Sequence, residues 1–221
     1  AFSIDAEKII NLADKNKVKI IFLCNPNNPT GTVIPPEIIE EIVKKSKSIV
    51  VVDEVYREFY GKSSIPLLQE YDNLVILRSF SKFAAIAGAR VGYLISNQFL
   101  SQKFDGIRFP MGVSYFSYKL AETVLEKDGN WIKQQVAMII REREKMANKL
   151  TKFGFFVYPS QTNFLLVKVG EQASMLCQKL KKKGFIIRNR SNKKYLAGCV
   201  RITVRSPEEN NKLLKVIKGV I

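Results

Sequence analysis

Four short apolar runs stand out along the first hundred residues: "VKIIFLC" (18–24), "SIVVVD" (48–53), "NLVILRS" (73–79) and "ARVGYLIS" (89–96). Rich in β-branched residues and bounded by polar turns, they read as strands. Their hydrophobicity is continuous rather than alternating, which predicts burial on both faces, as in a parallel sheet. Between the first two runs, "PPEIIEEIVKKSK" puts proline at a helix start and Ile38, Ile39, Ile42 and Val43 on one face, the pattern of a crossover helix. Strands alternating with helices predict an α/β domain on a mainly parallel sheet.

From about residue 112 the pattern lengthens into helices, "SYKLAETVLEK" and then "WIKQQVAMIIREREKMANKLTKF". The second carries Ile132, Val136, Ile139, Ile140, Met146 and Leu150 as its apolar positions and stops at Gly154, a residue suited to a helix end. Residues 155–221 then give "FFVYP", "NFLLVKV", a helix "EQASMLCQKLKKK" closed by Gly184, "FIIRN", "CVRITV" and a last helix from Ser206 to Lys218. The expected organisation is a large α/β domain over 1–112, interdomain helices over 113–154 and a small α+β domain over 155–221.

Charge changes this picture little. The net charge of +16 is uneven: residues 1–100 hold 12 basic and 11 acidic side chains, residues 101–221 hold 24 and 9. Lys179 and Lys181 to Lys183 fall in the last turn of their predicted helix, where positive charge meets the dipole favourably, so part of the excess is structural. The lysines are not interleaved with aromatic residues and no helix-turn-helix is visible, so nucleic acid is not the expected partner. No run approaches the roughly 18 apolar residues of a membrane span, and "AFSIDAEKII" lacks signal-peptide features. Cys24, Cys177 and Cys199 are scattered and show no metal-ligand spacing. A soluble protein of the reducing cytoplasm, without a metal, is expected. Histidine is absent, which leaves acid and base chemistry to Lys, Tyr, Asp or Glu.

Ligands of open parallel sheets bind beyond the carboxyl ends of the strands, and each of the first three strands is followed there by polar groups. "NPNNPTG" (25–31) follows the first, "DEVY" (53–56) closes the second and "SFSK" (79–82) follows the third. Alone, each piece is ordinary. The first is a good turn sequence, Asp53 and Glu54 suit a cap, and Lys82 suits a surface loop. Together they deliver Asn28, Asp53, Tyr56, Ser79 and Lys82 to one rim. A lysine amine in a dry pocket is available as nucleophile or base, and imine formation with an aldehyde is its natural use. Pyridoxal 5'-phosphate needs such a lysine and an acidic partner for its ring nitrogen; its phosphate needs hydroxyls, backbone donors and arginine. Asp53 suits the nitrogen; Ser79 and Arg90 suit the phosphate.

"NPNNPTG", "VVDEVY", "SFSKFAAIAGARVGY" and "VRITV" resemble, in order, four motifs of the fold-type-I pyridoxal-phosphate aminotransferases, and among these the chain is most similar to the histidinol-phosphate aminotransferase family over nearly its whole length. The resemblance implies Lys82 as the imine-forming lysine and catalytic base, and Asp53 at the ring nitrogen. It implies Tyr56 and Asn28 at the phenolic oxygen, and Ser79, Ser81 and Arg90 around the phosphate. Arg201 and Arg188 become the substrate-binding arginines for a carboxylate or phosphate, an anion their planar fork suits. It further implies a homodimer and an amino donor, glutamate, that passes its amino group to a phosphorylated or carboxylate acceptor in histidine biosynthesis.

Two departures qualify the match. The glycine-rich phosphate loop, the ring-stacking aromatic residue and the tyrosine lent across a dimer, which family members carry upstream, are not identifiable, so a chain lacking an N-terminal portion is expected. "FPMGVS" (109–114) stands where the family reads proline, tyrosine, asparagine, and Arg205 stands in place of a glycine. These changes bear on substrate, not cofactor, and leave an aromatic aminotransferase or a threonine-phosphate decarboxylase as alternatives. A non-catalytic binding or regulatory module on the same fold is the alternative outside enzymes.

Overall fold

The computed structural model describes residues 2–109 and 112–221. Its chain divides into two compact units: residues 1–26 with 33–132, and residues 27–32 with 133–221.

The first unit is an α/β layer. Its strands β1 (Ile20–Cys24), β2 (Ile49–Asp53), β3 (Leu74–Ser79) and β4 (Gly92–Ser96) form one sheet in that order. β1, β2 and β3 are parallel, with Cys24 opposite Asp53 and Asp53 opposite Leu77. β4 runs antiparallel to β3, pairing Ser79 with Gly92. The parallel pattern expected from strand–helix alternation therefore holds for three strands and not the fourth. Residues 80–91 contain only one short turn of helix, α3 (Phe80–Phe83), and a 3₁₀ turn over Ala87–Ala89; without a long crossover helix the chain returns beside the strand it has just left.

Helix α1 (Ala6–Lys15), which the sequence reading passed over, opens on Asp5, whose carboxylate accepts from the Lys8 N–H at 3.1 Å. α2 (Pro36–Lys45) begins at the expected proline pair and buries Ile39, Ile42 and Val43. With α1 they pack over Leu23, Val50, Val52, Leu74 and Ile76 of the sheet. Continuous apolar runs did not mean burial on both faces everywhere. The core of β2 is closed, but β1 alternates, and Phe22 is 69% exposed. α4 (Gln98–Ile107), α5 (Tyr115–Lys127) and the 24-residue α6 (Gly129–Lys152) follow. α4 and α5 are capped by the side chains of Asn97 and Ser114.

In the second unit, β5 (Phe156–Val157), β6 (Phe164–Lys168), β7 (Arg188–Asn189) and β8 (Cys199–Thr203) form an antiparallel sheet in the order β5-β6-β8-β7. One face, with Leu165, Val167, Val200 and Ile202, packs on Met146 and Leu150 of α6, on α7 (Ala173–Lys182) and on α8 (Pro207–Lys218). α6 ends where Gly154 takes φ +88°, and the Phe155 N–H returns to the Leu150 carbonyl at 3.2 Å, a left-handed helix stop that costs glycine little. Among the described residues no helix is long and apolar enough to cross a membrane.

Candidate functional site

In the first unit the candidates gather at the carboxyl ends of β2 and β3. Asp53 is the last residue of β2, half-buried, and its carboxylate accepts from the Val55 N–H at 3.0 Å. That bond turns the chain sharply and carries it to Tyr56, which is 6% exposed. Immediately beyond Asp53, Glu54 is 2% exposed and spends both carboxylate oxygens on defined donors. Arg78 reaches it through Nε at 3.1 Å and Nη2 at 2.8 Å, the Ser63 hydroxyl at 2.8 Å and the Ser64 N–H at 2.6 Å. Desolvation works against the Arg78 charge, but the hydrogen bond and charge of Glu54 outweigh it and raise the guanidinium above its ordinary value. This buried pair joins the end of β2 to the end of β3 one residue away from Asp53 and Ser79. In the sequence Glu54 suits a cap; the structure instead buries it as the partner of Arg78.

At the end of β3, Ser79 caps α3. Its hydroxyl accepts from the Ser81 N–H at 3.1 Å, donates to the Val91 carbonyl at 3.2 Å and lies 2.8 Å from the Ser81 hydroxyl. The two serines are thus held side by side, and Lys82 follows on the same turn. Arg90 occupies a left-handed conformation, φ +56°, just before β4, with Nη1 donating to the Ala87 carbonyl at 3.3 Å. One expectation is corrected: Lys82 is exposed, not in a dry pocket.

Two more candidates, Asn28 and Arg201, meet in the second unit. Arg201 Nη1 donates to Asn28 Oδ1 at 2.7 Å, and the guanidinium lies 4.9 Å from the Phe164 ring centroid. Because Oδ1 faces the guanidinium, the amide NH₂ of Asn28 points the other way. β8 alternates, so Arg201 lies on the face opposite Val200 and Ile202. Arg188 on β7 is its direct antiparallel partner. Like charges opposite each other across a ladder are unfavourable. Of "FPMGVS", Pro110 and Met111 lie outside the described residues. The other departure, Arg205, pairs with Glu209 at 2.8 Å at the start of α8.

Residues 1–217 match the family model "Aminotransferase class I and II". The chain belongs to that family. It is 40% identical over its full length to the histidinol-phosphate aminotransferase of Caldanaerobacter subterraneus subsp. tengcongensis, and spans 62% of that protein's length. Among solved structures it resembles the histidinol-phosphate aminotransferase of Clostridium acetobutylicum, with TM-score 0.89 and 29% identity over 99% of this chain and 68% of that one. The Sinorhizobium meliloti histidinol-phosphate aminotransferase, solved in complex with pyridoxal-5'-phosphate, gives TM-score 0.87 and 27% identity over 99% and 62%. The donor set at the ends of β2 and β3 is chemically suited to pyridoxal phosphate: one acid, one primary amine, paired hydroxyls and a guanidinium.

Proposed function

We propose that the complete protein is a pyridoxal-phosphate-dependent aminotransferase that moves an amino group between glutamate and imidazole-acetol phosphate, giving 2-oxoglutarate and histidinol phosphate, as a cytoplasmic homodimer. The observation that carries the reading is the adjacency of Asp53 at the end of β2 and the Ser79–Lys82 turn at the end of β3. Bound, the cofactor supplies an aldehyde for imine formation and a ring that accepts electrons. Lys82 Nζ would be the amine that holds the cofactor and the base that moves a proton at the substrate carbon. Asp53 holds a proton on the ring nitrogen as its ion partner. Ser79, Ser81 and Arg90 hold the phosphate through hydroxyl and guanidinium donors. Tyr56 and the amide NH₂ of Asn28 donate to the phenolic oxygen. Arg201 and Arg188 grip the anionic end of the substrate, where a bound phosphate or carboxylate relieves their mutual repulsion.

The relatives named above support histidinol phosphate as the substrate. The test is spectroscopic. The complete gene product loaded with pyridoxal phosphate is expected to show the visible absorbance of the lysine imine, to lose it in Lys82→Ala, and to bleach on glutamate addition. Restoration by imidazole-acetol phosphate, and not by aromatic keto acids, identifies the acceptor. An imine band that survives Lys82→Ala refutes the assignment.

A further inference from the structure

The Asn28–Arg201 pair is not held by its own elements alone. Arg143 of α6 is 3% exposed, an unfavourable place for a guanidinium unless its donors meet fixed acceptors. Nη1 donates to the Thr162 carbonyl at 3.1 Å, Nη2 to Gln161 Oε1 at 3.3 Å and Nε to Glu144 Oε1 at 3.0 Å. Two of these acceptors belong to the turn that leads into β6. That turn is braced from within: the Ser160 hydroxyl donates to the Phe164 carbonyl at 2.7 Å and accepts from the Thr162 N–H at 3.2 Å.

The same turn meets the 27–32 turn, which carries Asn28, and leads to the ring that lies under Arg201. The Gln161 N–H donates to the Gly31 carbonyl at 2.7 Å. A Cβ on Gly31 would stand 2.5 Å from Ser160 Oγ, and Gly31 has φ +78°, so only glycine allows this approach. The 27–32 turn carrying Asn28 is itself tied, Gly31 N–H to the Asn27 carbonyl at 2.8 Å and Asn27 N–H to the Thr32 carbonyl at 2.8 Å. At the other end of the 160–164 segment, Phe164 supplies the ring under Arg201.

We infer that Arg143 is a positioning residue that fixes Asn28 and Arg201 against each other through the 160–164 turn. Arg143 spends its donors on Glu144, Gln161 and Thr162. Its effect passes along two routes, Gln161 to Gly31 to Asn28 and Thr162 to Phe164 to Arg201. The inference rests on the anion-gripping role proposed above for Arg201.

The experiment uses the complete, cofactor-loaded protein, with inorganic phosphate as the probe of the arginine site and hydrogen exchange as a second readout. Arg143→Met is expected to weaken phosphate binding about tenfold and to speed exchange of the Gln161 and Gly31 amides. Arg143→Lys, which keeps the charge but reaches one acceptor, is expected to fall between the two and remains measurable if the Met variant folds poorly. Met146→Ala, a core truncation on the same helix, controls for stability: it lowers the melting temperature and leaves phosphate affinity within about twofold. The inference is overturned if either Arg143 variant binds phosphate as wild type does, or if Met146→Ala weakens binding as much. Arg201→Met separates the two ideas. Loss of binding there with none in the Arg143 variants sinks the positioning role alone, whereas unchanged binding in Arg201→Met sinks the anion role and the positioning role together.

Discussion

Replacing Arg78 by methionine removes one half of a buried ion pair and leaves the other half in place. Glu54 is 2% exposed and the Arg78 side chain 10% exposed, with 2.8 Å between Nη2 and Oε2. At that distance and an effective dielectric constant of about 20, the gross attraction is about 6 kcal/mol. Desolvating two ions costs several kcal/mol each, so the intact pair is close to neutral in net stability. Arg78→Met keeps the carboxylate's desolvation cost and removes the attraction that offset it. The Ser63 hydroxyl and Ser64 N–H remain as donors and hold the loss to about 3 kcal/mol, the low end of the range for a broken buried pair. The double variant Glu54→Leu/Arg78→Met removes both charges and is expected to recover most of that loss.

Denaturant unfolding of the four proteins of this cycle, read by hydrogen exchange at β2 and β3 amides so that only the first unit is scored, measures the coupling. A coupling above about 2 kcal/mol is expected. If Arg78→Met costs less than about 1 kcal/mol, or if the double variant is no better than the single, the pair is not the clamp described, and the alignment of Asp53 with Ser79 must come from backbone pairing alone.

Four further outcomes follow from the same structure. Gly31→Ala drives a Cβ into Ser160 at a positive φ and is expected to cost about 1–3 kcal/mol, measured by urea unfolding of the second unit. Ser206→Ala removes the hydroxyl that accepts from the Glu209 N–H at 3.3 Å and is expected to cost about 1 kcal/mol, read as faster exchange in the first turn of α8. Glu58→Gln is expected to raise the melting temperature at pH 7, because burial pushes the Glu58 carboxyl above its ordinary range. Its favourable share of stability is present below the unfolded carboxylate pKa and is lost as pH rises through the folded value, so the advantage of the variant must vanish in acid. Arg188→Thr removes a like charge opposite Arg201 and is expected to stabilise the sheet by roughly 0.2–1 kcal/mol while weakening phosphate binding; a gain in both would refute the anion role.

Most elements were legible because they report their own periodicity and ends. Pro36 started α2, Gly154 stopped α6, and the β-branched runs located β1 to β3 within two residues. What the sequence did not carry was pairing. The direction of β4 depends on the path of residues 80–91, and those residues have no period of their own. The exposure of Phe22 depends on what lies over β1, which no local pattern records. At the site, the lysine, acid and serines were visible as polar interruptions after apolar strands, and Arg201 and Arg188 through a motif. Arg143 was not. It lies within "REREK", and a charged run on a long helix gives no local sign of which residue turns inward; only the packing of the 160–164 turn against α6 selects it.

Three of the residues proposed to meet a ligand have a residue close by in sequence that is committed to the interior. Asp53 precedes Glu54, Ser79 follows Arg78, and Asn28 is three residues from Gly31, which is pressed against Ser160. The division follows from opposed requirements. A group that must bind and release a ligand needs spare hydrogen-bonding capacity, and spare capacity is destabilising when buried. A group that must hold geometry to a fraction of an ångström needs every donor and acceptor spent. One residue cannot meet both demands, so the chain assigns them to adjacent positions and lets the rigid peptide between them carry position from the second to the first. The consequence is directional. Substitution at Arg201 should change ligand affinity with little effect on stability, and substitutions at Glu54, Arg78 or Arg143 should change both.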